Sequence, residues 1–122
     1  TPQSLHQLGG YKVQGRTDGD AILEAAIALQ KAGTFAIVLE LVPADLAARI
    51  TKELSIPTVG IGAGVDCDSQ VLVWTDLMGI TKNPPKLAKA YRNLRTEMLD
   101  ATKEWASDVA GSRFPGAEQS FK

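Results

Sequence analysis

Glu40 ends a run of five apolar residues, Phe35-Ala-Ile-Val-Leu39, and is followed by Leu41-Val-Pro43. A carboxylate in such a run is costly to bury unless it opens onto water, a metal or a substrate. Held in a partly apolar pocket, it is suited to accept a proton, as enolisation beside a carbonyl requires. Residue types alone leave a second reading open, in which Glu40 pairs with a lysine or arginine and serves packing.

Gly60, Gly62 and Gly64 alternate with Ile61 and Ala63. Glycine inside and just beyond a strand lets another backbone or a ligand approach closely, so all three are candidates for lining a small-molecule pocket. Their spacing is G-x-G-x-G, without the G-x-x-G ending of the dinucleotide fingerprint. No Gly-Lys-Ser/Thr is present, which disfavours a nucleoside triphosphate site. Asp66 and Asp68 flank Cys67 in a polar loop with no third ligand close in sequence and no zinc spacing. They read as solvated or turn-forming, and no metal site is expected from this chain alone. His6, between Leu5 and Leu8, reads as a surface or structural group and takes no role.

The elements that must position Glu40 follow from periodicity. The β-branched and aromatic content of the stretch around 35–41 predicts a short strand buried on both faces, with Glu40 near its C-terminal end. In sheets and barrels of parallel strands that end faces the ligand. Residues 1–19 hold Gly9, Gly10, Gly15 and Gly19 among polar residues and read mainly as loop. Asp18 or Asp20 can cap a helix over about 20–32, whose apolar stripe is Ile22, Ala26 and Leu29. Pro43 is placed in the first turn of a second helix, about 44–54, with Leu46, Ala47, Ile50 and Leu54 on one side. Strands are predicted at about 57–62 and 70–74. Pro84-Pro85 is expected to open the longest helix, about 86–110, with a core-facing stripe of Leu87, Tyr91, Leu94, Met98, Ala101, Trp105 and Val109. Short connections between helices and apolar strands imply an α/β fold with a parallel sheet.

The whole chain sets outer bounds. Its 122 residues suit one domain, and 44% hydrophobic with 22% charged residues is ordinary for a globular protein. A net charge of −1 gives no long-range pull towards nucleic acid or anionic membrane. No stretch has the unbroken apolar length of a membrane span. One cysteine, Cys67, forms no intrachain disulfide, and a cytoplasmic setting is expected. The chain opens Thr1-Pro-Gln-Ser4 without an initiator methionine, and three parallel strands alone would leave long exposed edges. Both features suggest a piece of a larger sheet.

Read together, Thr1-Pro-Gln-Ser4, Gly9-Gly-Tyr-Lys-Val-Gln-Gly-Arg16, Val38-Leu-Glu-Leu-Val-Pro43, Ile56-Pro-Thr-Val-Gly-Ile-Gly-Ala-Gly64, Gln70-Val-Leu-Val-Trp74 and Phe114-Pro-Gly-Ala-Glu-Gln-Ser-Phe121 resemble the ketopantoate hydroxymethyltransferase family. The resemblance spans essentially the whole chain and corresponds to the C-terminal half of family members. It implies residues 1–122 as the C-terminal portion of a single (β/α)8 TIM barrel whose N-terminal half is absent here. The implied reaction is hydroxymethyl transfer from 5,10-methylenetetrahydrofolate to 3-methyl-2-oxobutanoate, giving 2-dehydropantoate in pantothenate biosynthesis, with Mg²⁺ on the oxo acid. The family's proton acceptor, the glutamate of Leu-Glu-x-Val-Pro, falls on Glu40. The metal-binding aspartates, the substrate-binding lysine and the histidine before Thr-Pro-Gln belong to the earlier half, and His6 does not take that histidine's place. A cytoplasmic homo-oligomer, a decamer at full length, is further implied. The competing expectations are a non-catalytic α/β barrel fragment and a small-molecule or phosphate-binding module using Gly60–Gly64.

Overall fold

The computed structural model describes residues 6, 7 and 9–121. The Thr1-Pro-Gln-Ser4 motif, Leu5 and Leu8 lie outside the described residues. The chain divides into two compact units, Thr1–Leu72 and Val73–Lys122.

The first unit runs α1 (Gly19–Lys31), β1 (Ile37–Glu40), α2 (Ala44–Glu53), β2 (Thr58–Ile61) and β3 (Ser69–Gln70). Its sheet has the order β1-β2-β3 with both pairings parallel, so α2 is the crossover of a βαβ unit. Register is fixed by Ile37 against Thr58 and Glu40 against Ile61, and by Gly60 against Gln70. The core joins Ala26 of α1, Leu39 of β1, and Leu46, Ala47 and Ile50 of α2, with Val42, Leu54, Ala63 and Cys67 around them. Leu46, Ala47 and Ile50 recur at helical spacing, which gives α2 the sharply one-sided character seen in its burial.

The bounds of α1 and α2 follow the sequence closely, but their starts differ in detail. Asp18 occupies the N-cap position of α1 without a side-chain hydrogen bond. Asp20 reaches sideways to Arg49 of α2, 2.9 Å away. Pro43 is the N-cap of α2 rather than part of its first turn. There its extended backbone, ψ 139°, carries the chain out of the sheet before the helix begins.

Three expectations about the strands and the last helix are corrected. β1 is shorter than 35–41 and is buried on one face only: Leu39 is enclosed, whereas Val38 is 60% exposed and Glu40 is exposed. The helices of this unit pack on the face of Ile37 and Leu39, and strand alternation turns Val38 and Glu40 the other way. The third strand spans only Ser69–Gln70 instead of 70–74. It pairs on one side with β2, and one further bond, from the Val71 amide to the Gly60 carbonyl, ends the ladder. Val71 and Val73 remain exposed, and Trp74 starts a short helix.

The second unit contains that helix, α3 (Trp74–Leu77), then α4 (Leu94–Ala110) and a 3₁₀ turn at Ala117–Gln119. The long helix therefore begins at Leu94 and not near residue 86. The Tyr91 and Leu94 amides are taken by the carbonyls of Leu77 and Met78, at 2.8 and 3.0 Å, so they cannot bond four residues back. The expected core-facing stripe is not covered either: no residue of α4 is buried, and Met98, Trp105 and Val109 are exposed.

Candidate active site

Glu40 is the last residue of β1, paired with Ile61 of β2. The strand stops there because Leu41 turns into the left-handed region, φ 53°. For a side chain other than glycine this costs roughly 1–2 kcal/mol, so the surrounding structure must hold it. Two hydrogen bonds do so: the Leu41 amide donates to the Ile61 carbonyl at 3.0 Å, and its carbonyl accepts from the Gln14 amide at 2.8 Å. The backbone then delivers Val42 into the core and Pro43 to the start of α2. Glu40 is left at the open end of the strand. Strain of this kind beside a titratable group is the sort of feature that marks functional sites.

Glu40 is one of the residues lining a cleft of about 270 Å³ at the free edge of β1, whose walls also include Gln14, Ala25 and Leu29 of α1, Val38 and Val42. Those walls are largely apolar. No hydrogen bond or ion pair involves the Glu40 side chain among the described residues; Arg49, Lys103 and Arg113 take their carboxylates elsewhere. The packing reading, in which Glu40 is matched to a lysine or arginine, finds no such partner among them. An exposed strand-end carboxylate with an apolar wall beside it has the freedom to take a proton from a small substrate.

Gly60 lies in the buried part of β2, and a side chain there would come within 2.9–3.0 Å of the Gln70 amide and the Cys67 sulfur. Gly64 has φ +81° and packs so closely on α2 that a Cβ would sit 2.5 Å from that of Ala44. Gly62, with φ 65°, is exposed just past the end of β2. The described cleft around Glu40 is not lined by any of the three. Gln70 closes over this loop by donating its side-chain amide to the Gly64 carbonyl at 2.9 Å.

Asp68 is a turn-forming group. Its carboxylate accepts from the Thr58 amide at 2.8 Å and the Thr58 hydroxyl at 3.0 Å, while its own amide donates to that hydroxyl at 3.3 Å. Thr58 is wholly buried, and Thr51 of α2 completes the cluster at 2.8 Å. The Thr58 amide and then its hydroxyl hold the Asp68 carboxyl below its ordinary value of 3.8. The cluster ties β2, α2 and the loop before β3 together. A Thr-x9-Asp spacing has no periodic signature, so sequence reasoning missed Thr58; Leu41 was equally invisible, since its backbone angle is imposed from outside.

Magnesium asks for several oxygen ligands in a near-octahedral array. Among the described residues no three His, Cys, Asp or Glu side chains gather into such a group. Glu40 is solitary, Asp68 is committed to Thr58 and Asp20 to Arg49. The carboxylates present do not fit a Mg²⁺ site by themselves.

The strand-end carboxylate and the α/β crossover beside it define the class: a parallel βαβ unit with an exposed carboxylate at the C-terminal end of its first strand. A family model described as ketopantoate hydroxymethyltransferase matches residues 1–117. Proteins named 3-methyl-2-oxobutanoate hydroxymethyltransferase are similar along nearly all of the chain: 61% identical in Acidothermus cellulolyticus over 99% of this chain, 56% in Streptomyces coelicolor over 98%, and 54% in Frankia alni over 99%. The chain belongs to the ketopantoate hydroxymethyltransferase family. It spans 45%, 42% and 41% of the lengths of those three relatives.

Proposed function

We propose that this chain supplies the proton acceptor for hydroxymethyl transfer from 5,10-methylenetetrahydrofolate to 3-methyl-2-oxobutanoate, yielding 2-dehydropantoate. The observation that carries this is the free Glu40 carboxylate at the strand end, within the segment matched by the family. Water adds to the methylene carbon as both of its bonds to folate nitrogens break, the nitrogens taking the water's protons, which frees the one-carbon unit at the formaldehyde level. Glu40 takes the proton from the carbon next to the oxo group, the resulting enolate carbon adds to that unit, and the new alkoxide takes a proton to become the hydroxyl. Gly62 and Gly64, at the end of β2, form a separate part of the oxo acid pocket's wall in the assembled barrel, outside the cleft described around Glu40, with Gly60 behind them.

The remaining strands of a (β/α)8 barrel come from the portion of the relatives that this chain does not span. The free edge of β1 and the uncovered face carrying Val38 support that reading. The same portion holds the Mg²⁺ ligands, and the assembled enzyme is a cytoplasmic homo-oligomer. Among the described residues no helix is long and apolar enough to cross a membrane.

The test is Glu40→Gln in a full-length chain, followed by exchange of the oxo acid's C3 proton in D₂O. Loss of about 10²–10⁴-fold in exchange rate is expected for removal of a general base, with oxo acid binding retained. Exchange at the parent rate would remove Glu40 from the mechanism.

A further inference from the structure

The basic residues of this chain are unevenly placed. Lys82, Lys86, Lys89, Arg92 and Arg95 supply five of its 13 lysines and arginines, and none of its 14 aspartates and glutamates falls between them. The whole chain carries a net charge of −1, so one short stretch of the second unit is strongly positive against a slightly acidic background. Ordinary surfaces intersperse the two signs, because a run of one sign repels itself.

The fold does not neutralise the run. All five side chains are exposed, and none forms an ion pair among the described residues, where Arg49, Lys103 and Arg113 hold the three that occur. Arg92 donates to the Tyr91 carbonyl at 2.7 Å and Arg95 to the Ile80 carbonyl at 3.5 Å, which leaves both charges unmatched. Lys89 lies over the Tyr91 ring, 4.9 Å from its centre. Lys82 and Lys86 make no side-chain hydrogen bond among the described residues, where Lys103 is the lysine that does.

The connection that carries most of these cations, residues 78–93, is long for one without a helix or strand. Its far end is nonetheless fastened to α3 and the turn after it. The Tyr91 and Leu94 amides donate to Leu77 and Met78, and the Arg95 amide donates to the Gly79 carbonyl at 3.3 Å. Gly79, φ +69°, packs so closely on Arg92 that a Cβ would collide with its carbonyl. Pro84 and Pro85 fix φ in the middle, and the Ala88 amide closes a turn on the Pro85 carbonyl at 2.9 Å. The cations are held in place before any ligand arrives, which lowers the ordering cost of binding.

The positive run is also short. Glu97 follows two residues after Arg95, and Glu97, Asp100, Glu104 and Asp108 continue along α4 with Lys103 as the only basic residue among them. An extended polyanion such as a nucleic acid strand would run onto those carboxylates. A compact anion stays within the run. A phosphate chain puts several charges on adjacent atoms and accepts from both ammonium groups and the planar fork of arginine. We infer that the loop of residues 82–95 binds a compact oligophosphate, two or more linked phosphates. The site belongs to the second unit alone and is independent of the role proposed for Glu40.

The test is calorimetric titration of a full-length chain with inorganic tripolyphosphate. Saturable binding at one site per chain is expected. Lys82→Gln combined with Lys86→Gln should weaken it by roughly tenfold for each ammonium removed, the scale of one charged hydrogen bond. The unfolding midpoint should stay unchanged, since both side chains are exposed and unbonded. The same charge change in the first unit, Lys31→Gln with Lys52→Gln, should leave the affinity unaltered. Equal weakening by the two pairs would reduce the effect to net charge and overturn the proposal. So would the lack of saturable binding to the parent chain. A tetraglutamate peptide or a short single-stranded RNA that binds more tightly than tripolyphosphate, with the same dependence on Lys82 and Lys86, would assign the loop to another class of anion and overturn it too.

Discussion

At the scale of single residues, the site depends on Leu41 as much as on Glu40. Leu41 is a branched side chain in a left-handed backbone, stabilised by bonds to β2 and to the 14–16 segment. A residue branched at Cβ tolerates this conformation less well. Leu41→Val should therefore lower stability by about 1–2 kcal/mol relative to Leu41→Gly, as read from urea unfolding midpoints. Equal stability for the two variants would show that the backbone angle is not held under strain. Thr58 and Asp68 form the second residue-scale device. Because the Asp68 carboxyl titrates lower when folded, its contribution is complete above about pH 3.8 and is lost as pH falls through the folded value. Urea titrations between pH 6 and pH 2 should show a steeper acid loss for the parent chain than for Asp68→Asn. Matching acid profiles would remove the carboxylate from the network. At neutral pH, Thr58→Val should cost about 1–2 kcal/mol, the net worth of a buried hydroxyl's hydrogen bonds.

At the scale of elements, the position of α2 sets the site, since its start fixes where the chain leaves β1. Two glycine approaches hold it in place, Gly15 against Leu46 and Gly64 against Ala44. Gly64→Ala combines an unfavourable φ with a side chain too close to its neighbour. A loss of about 2–4 kcal/mol is expected from strain plus overpacking, measurable as a drop in the unfolding midpoint. An unchanged midpoint would mean that α2 moves freely away from the loop. α1 and α2 were legible from sequence because their apolar residues recur at helical spacing and their neighbours are short, punctuated connections. The third strand and the last helix were not. Val71-Leu-Val-Trp74 has strand composition, but a strand needs a partner on its hydrogen-bonding edge, and only Ser69–Gln70 obtain one in this chain. Residues 86–93 have helical composition, but the Tyr91 and Leu94 amides are claimed by the carbonyls of Leu77 and Met78, so the helix cannot run through them.

At the scale of the molecule, each unit leaves large apolar side chains uncovered: Val38 and Val71 in the first, Trp74, Met98 and Trp105 in the second. Clustered exposure of that kind marks surfaces made to be covered. The chain by itself should bind a hydrophobic dye and show solvent-exposed tryptophan emission, and both signals should fall when the relatives' remaining half is supplied. Unchanged emission in the completed protein would argue that Trp74 and Trp105 face water there as well. On the function proposed above, the purified chain should also fail to turn over the oxo acid, because among the described residues no carboxylate group fits Mg²⁺. Periodicity, residue type and motif were enough to determine the parallel α/β class, the two helices flanking β1 and the place of Glu40 at a strand end, because those properties are local or repeat at short range. The tertiary structure alone decided that β1 is covered on one face, that Leu41 is bent to end it, and that Asp68 serves Thr58 rather than a metal. Each of these depends on contacts between residues far apart in the chain, and no spacing in the sequence records which of them will meet.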